Sequence, residues 1–217
     1  MNIFLSWSGA RSKCAAQAFS GFFSQFFFWD TPVIYLSTST EKGVYWDEKL
    51  EKALDEADFG VLFLTRENCG NPSPWMMYEA GVLSRTAGPK GIDSAKRRYV
   101  MTFLLDGSAS DIPSPVSRMQ SAVFDKSDII EMAYRMYILY EKKSGMPEDR
   151  IKEYAAFCYD NQRLEEKLNN AVEMDSKSEY QAPWEPTQRL AEENQTLLRR
   201  ISRGQNRNHL PAGKAGL

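Results

Sequence analysis

The sequence predicts an α/β fold: a doubly wound parallel sheet of about five strands, followed by an α-helical extension. Three observations carry that expectation. Short apolar runs recur as far as residue 124, stretches with helical apolar spacing separate them, and beyond Gly145 the strand-like runs cease. Strands buried on both faces read as continuous apolar runs, and their alternation with one-faced helices marks a sheet covered on both sides.

Taken in order, residues 3–7 (Ile-Phe-Leu-Ser-Trp) are the first run, and apolar positions 14, 15, 18, 19, 22, 23 and 26 follow at helical spacing. Residues 33–36 (Val-Ile-Tyr-Leu) are the second run, with a polar loop from Ser37 to Gly43 behind it. Trp46, Leu50, Leu54 and Ala57 then share one helix face, and Glu48 and Lys52 are spaced to pair on the other. Residues 60–65 read as a third strand, 71–85 as a loop and helix, 99–105 as a fourth strand, 122–124 as a short fifth and 127–143 as a helix. Apolar positions 151, 154, 155, 158, 164, 168, 171 and 172 make one stripe, which predicts a single helix over 148–175. A second helix is expected over 187–203, past Pro183 and Pro186, and from Arg199 onward five basic residues stand with no acid. The expected division is 1–144 for the sheet domain and 145–217 for the helical extension and basic tail.

Composition narrows the chemistry. With 217 residues, 42% hydrophobic and 26% charged, the chain can bury a substantial core. Lys and Arg total 27 against 29 Asp and Glu, so no global field draws it to nucleic acid or an anionic membrane, and the basic tail reads as a solvated end. The one histidine, His209, falls in that tail, so a Ser-His-Asp triad, a Cys-His pair, a His-rich zinc site and a His general base are not expected. Cys14, Cys69 and Cys158 are odd in number and far apart, which fits a reducing compartment without disulfides. The longest apolar run, residues 59–64, is too short to span a bilayer, and the start lacks a basic signal-peptide region. The expectation is a cytoplasmic protein without a membrane segment.

Ligands of doubly wound folds bind beyond the carboxyl ends of the strands, which directs attention to the segments after Trp7, Ser37, Thr65 and Asp106. Ser8, Gly9 and Arg11 occupy the first strand-to-helix turn, where free N–H groups and a cation suit a phosphate; helix capping by Ser8 explains the same residues. In 71–81, Ser73-Pro74 is an N-cap and first-turn pair. Trp75 and Glu79 are then i, i+4 on one face with Tyr78 beside them, and Met76, Ala80 and Leu83 form the stripe expected to face the sheet. A glutamate beside an indole suits a ligand with partial positive charge; a surface glutamate beside a core tryptophan has the same spacing. No G-x-G-x-x-G or Walker A loop is present.

Five segments, in order, resemble Toll/interleukin-1 receptor (TIR) domains. Residues 3–8 (Ile-Phe-Leu-Ser-Trp-Ser) resemble their first strand and A-loop. Gly43-Val44-Tyr45-Trp46 with Leu50 and Leu54 resembles the end of the BB loop and the helix after it, and 60–65 the third strand. Trp75-Met76-Met77-Tyr78-Glu79 is similar to the tryptophan-x-x-x-glutamate signature of the enzymatic branch. The similarity covers about residues 1–140 and is nearest in style to bacterial immune TIR proteins of the Thoeris type.

The resemblance implies a flavodoxin-like sheet and cleavage of the nicotinamide–ribose bond of NAD, with Glu79 as the catalytic carboxylate. NAD would be substrate, with no bound cofactor and no metal. By their positions Trp75, Tyr78, Ser8, Gly9, Arg11 and Trp46 are the candidate substrate contacts; Trp46 opens a helix beside the loop that in the family contacts a neighbouring subunit, and a core anchor on the Leu50/Leu54 stripe is the favoured reading of that residue. Gly43 would hinge that loop. Self-association, a partner protein held through 145–217 and a role in antiphage defence complete the expectation. Two other readings stay open: a non-catalytic TIR adaptor, and a different N-glycosidic enzyme of similar fold.

Overall fold

A computed structural model describes residues 1–37, 46–71, 73–85, 98–141 and 146–174. All of them belong to one compact unit, Met1–Glu179. The loop 38–45 with Gly43, the helix expected over 187–203, His209 and the basic tail lie outside the described residues.

Five strands form one parallel sheet: β1 (Asn2–Trp7), β2 (Val33–Leu36), β3 (Phe59–Leu64), β4 (Tyr99–Leu104) and β5 (Gln120–Val123), in the order β2-β1-β3-β4-β5. This is the doubly wound, flavodoxin-like order, with the chain reversing direction across the sheet between β1 and β3. The helices are α1 (Ala10–Phe26), α2 (Trp46–Glu56), α3 (Arg66–Gly70), α4 (Pro74–Arg85), α5 (Lys126–Glu141), α6 (Glu148–Asn161) and α7 (Leu164–Glu173).

Alternation along each strand sorts the core into two layers. Ile3, Leu5, Phe59, Val61, Phe63, Met101 and Phe103 face α1, α5, α6 and α7. Phe4, Leu62, Leu64 and Leu104 face α2 and α4. The first layer is aromatic: Phe19, Phe22, Phe23 and Phe26 of α1 are fully buried, and the Phe19 ring lies 5.2 Å from Phe63 and 4.6 Å from Phe103. Burying one such ring is worth about 2–3 kcal/mol, so this layer supplies much of the driving force.

Two features depart from the expected elements. The helix expected over 148–175 is two helices, broken at Arg163, which takes a left-handed conformation at φ 51°. No glycine or proline marks the break, so an unbroken apolar stripe conceals it. The two helices are also not an arm set apart from the sheet. Ile151, Ala155, Cys158, Tyr159, Leu164, Leu168 and Ala171 join the aromatic layer, with α7 along α1 and α6 against α5 and α1. The change of composition near 145 therefore falls inside one core.

On the other face, α4 comes close to the sheet because residue 60 is glycine. A Cβ there would stand 2.7 Å from Leu83 Cδ1, well inside van der Waals contact. Met76, Ala80 and Leu83 form the buried stripe of α4, as their spacing predicts. The close approach presents Glu79, one turn before Leu83, to the carboxyl ends of β1 and β2.

Candidate active site

Three elements build the site. The register that pairs Leu5 with Leu36 sets Ser6 and Ser37 side by side one residue further on. They continue the row that Phe4 and Tyr35 begin, whose rings stack at 5.2 Å. Apolar rings thus give way to two hydroxyls where the strands end. Helix α4 starts at Pro74, with the Met77 N–H donating to the Ser73 carbonyl at 3.0 Å, and carries Glu79 over that pair.

Ser6 Oγ donates to Glu79 Oε2 and Ser37 Oγ to Glu79 Oε1, each at 2.5 Å. The Trp75 side chain, one helical turn before Glu79, adds a third hydrogen bond. Glu79 and Ser6 are 0% exposed and Ser37 is 5% exposed. Burial pushes the Glu79 carboxyl above the ordinary glutamate range, and the hydrogen bonds from Ser37, Ser6 and Trp75 pull the other way. The result is a dry carboxylate whose two oxygens are both held by hydroxyl groups. Beside it Trp75 and Tyr78, over a third exposed, stack with ring centres 5.3 Å apart and planes at 29°. Glu79, Trp75 and Tyr78, predicted as one cluster, therefore stand together.

The first strand-to-helix turn is arranged differently from its expected role. Arg11 is 8% exposed and each of its three nitrogens is engaged. Nη1 meets Glu67 Oε1 at 2.6 Å, Nη2 meets Asp106 Oδ2 at 2.9 Å, and Nε donates to the Ala171 carbonyl at 3.2 Å. Arg11 is thus a staple joining α1, α3, the end of β4 and α7, and its charge is spent on carboxylates rather than left for a phosphate. Ser8 does not cap α1: its N–H donates to Ser12 Oγ at 3.0 Å, and Ser12 Oγ donates back to the Ser8 carbonyl at 2.6 Å. Gly9 is the N-cap without a side-chain bond, and its φ of 89° with ψ of 161° requires glycine. Trp46 opens α2, and its side chain lies outside the described residues.

Sequence reasoning did not single out Ser6 or Ser37 as site residues. The available signal was that both of the first two apolar runs reach a serine at their carboxyl ends. Among the described residues no group of His, Cys, Asp or Glu is arranged to hold a metal ion, and no described helix is long and apolar enough to cross a membrane. Fold and site define a doubly wound α/β protein with a buried, hydroxyl-held carboxylate at the carboxyl edge of its sheet. No protein-family model matches the chain, and no curated protein matches it in sequence.

Proposed function

We propose that this chain is a TIR-type enzyme that cleaves the nicotinamide–ribose bond of NAD, with Glu79 as its catalytic carboxylate. The observation that carries the reading is the buried Glu79, held by Ser6, Ser37 and Trp75 at the carboxyl ends of β1 and β2. An ordinary O-glycoside needs a second carboxyl group to protonate its leaving oxygen. Nicotinamide needs none: as the ribose–nitrogen bond breaks, the electron pair passes to the pyridinium ring, which departs neutral. One carboxylate then suffices to hold the ribose hydroxyls and stabilise the oxocarbenium-like centre until water or an internal nucleophile adds. The exposed Trp75–Tyr78 stack offers an aromatic face for a nicotinamide or adenine ring. A cytoplasmic setting, TIR–TIR association and a part in antiphage defence belong to the same proposal.

Incubation of the purified protein with NAD, alone and with its genomic partner, tests it by nicotinamide release. Release that is lost in Glu79→Gln supports the reading; release unaffected by that change, or absent throughout, refutes it. A non-catalytic adaptor is the second reading, favoured by the complete burial of Glu79 with both oxygens hydrogen-bonded. Self-association with no NAD turnover distinguishes it.

A further inference from the structure

We propose that the two serines on Glu79 have different roles: Ser6 is a positioning residue that fixes the carboxylate, and Ser37 is an exchangeable donor standing where one hydroxyl of a vicinal diol binds. The inference rests on Glu79 as the substrate-binding carboxylate and adds how a diol-bearing nucleotide gains it.

A carboxylate offers about four lone-pair positions, and Ser6, Ser37 and Trp75 already fill three of them. Since Glu79 is 0% exposed, a ligand hydroxyl reaches it by replacing a donor already present. The three donors are not held alike. Ser6 lies within β1, which is paired with β2 on one side and β3 on the other. Trp75 shares α4 with Glu79 and moves with it. Ser37 follows the last residue of β2, the edge strand, with β1 as its one neighbouring strand among the described residues, and its N–H donates to the Leu5 carbonyl at 2.9 Å. The departing and arriving groups are both alcohol O–H donors, so the exchange leaves no carboxylate oxygen unpaired in a dry site, where that would be costly.

The test compares wild type, Ser37→Ala, Ser6→Ala and Ser6→Thr, with thermal melts as the folding control. Two readouts are taken: ADP-ribose affinity by calorimetry, and the kcat and KM of nicotinamide release from NAD. Ser37→Ala removes a competitor, so ADP-ribose should bind about 3–10-fold more tightly and KM should fall in step. Ser6→Ala should lower kcat about 10–100-fold and move the acid limb of its pH profile upward, because losing a fixed donor disfavours the charged carboxylate; Ser6→Thr, which keeps the hydroxyl, should restore both. If Ser6→Ala does not fold, Ser37→Ala decides through its affinity. Nicotinamide release absent from every form, with tighter ADP-ribose binding to Ser37→Ala, would sink the proposed reaction and leave the exchange standing. Release that depends on Glu79, with Ser37→Ala binding ADP-ribose no better than wild type or losing kcat as Ser6→Ala does, would overturn the exchange and leave the reaction standing. No ADP-ribose binding by wild type or Ser37→Ala overturns the exchange as well.

Discussion

Replacing Arg11 by methionine keeps most of the side-chain volume and removes the guanidinium that joins four elements. The magnitude follows from the partners. The Asp106 contact, 2.9 Å long with a carboxylate only a quarter exposed, is a charge-assisted bond worth about 1.5–3 kcal/mol. The Glu67 contact is shorter, 2.6 Å, but that carboxylate is half exposed, and a pair of that kind contributes about 0.2–1 kcal/mol. The Ala171 carbonyl, left without its donor, adds about 1 kcal/mol. Arg11→Met should therefore destabilise the fold by roughly 3 kcal/mol, a large share of the usual stability of about 5–15 kcal/mol. In urea unfolding, with a slope of about 1–3 kcal/mol per molar, the midpoint should fall by about 1–3 M. Amide exchange across 164–173 should quicken most, because Arg11 fastens α7. Arg11→Lys, which keeps charge but not the fork, should lose part of this. A midpoint within about 0.3 M of wild type, together with a raised KM for NAD, would refute the staple and return Arg11 to a phosphate-binding role.

The remaining predictions concern the other face, the carboxylate and the thiols. Because burial raises the Glu79 pKa above its unfolded value, ionising it weakens the fold, and stability is lost as pH rises through the folded pKa. Glu79→Gln should accordingly melt higher than wild type at pH 7–8, and the two should converge near pH 4, where both side chains are neutral; parallel melting curves across that range contradict this. Gly60→Ala should cost about 1–3 kcal/mol through the 2.7 Å approach to Leu83 Cδ1, and adding Leu83→Ala should recover part of it, whereas strictly additive losses would refute the close contact. Burial pushes the Cys69 thiol up to about 11, helped by Asp111 and Asp106, and burial likewise raises Cys158. At pH 8 a soluble disulfide reagent should therefore label the half-buried Cys14 in the folded protein and reach the other two only after unfolding.

What the sequence discloses divides by range. Each of the five strands announces itself as a local apolar run, and its position in the structure agrees within a few residues. The Trp75–Glu79 pair is legible for the same reason, since four residues of helix fix it. Helix α3 is only five residues long and is started by a Thr65–Asn68 capping box, too brief to leave a periodic signal. Ser6 and Ser37 lie 73 and 42 residues from Glu79 and meet it only through parallel register and the space left by Gly60. Arg11 is the sharper case: a cation at a strand-to-helix turn looks free until partners 56, 95 and 160 residues away fold onto it. Local pattern reveals what an element is; long-range pairing decides whether a charge is available.

The docking of α6 and α7 onto the phenylalanine face of α1 bears on how this protein can be cut and recombined. A terminus placed at residue 144 would strip α6 and α7 from α1, taking Tyr154 off the Phe26 ring it faces at 6.0 Å, and such a fragment should collect in the insoluble fraction. A module grafted elsewhere has to carry Leu164, Leu168 and Ala171 with it, because they belong to the same wall as Phe63 and Phe103. Shuffling of this sheet among larger proteins is then constrained at its carboxyl side: the nearest permissible seam comes after α7, some thirty residues later than the change in composition invites.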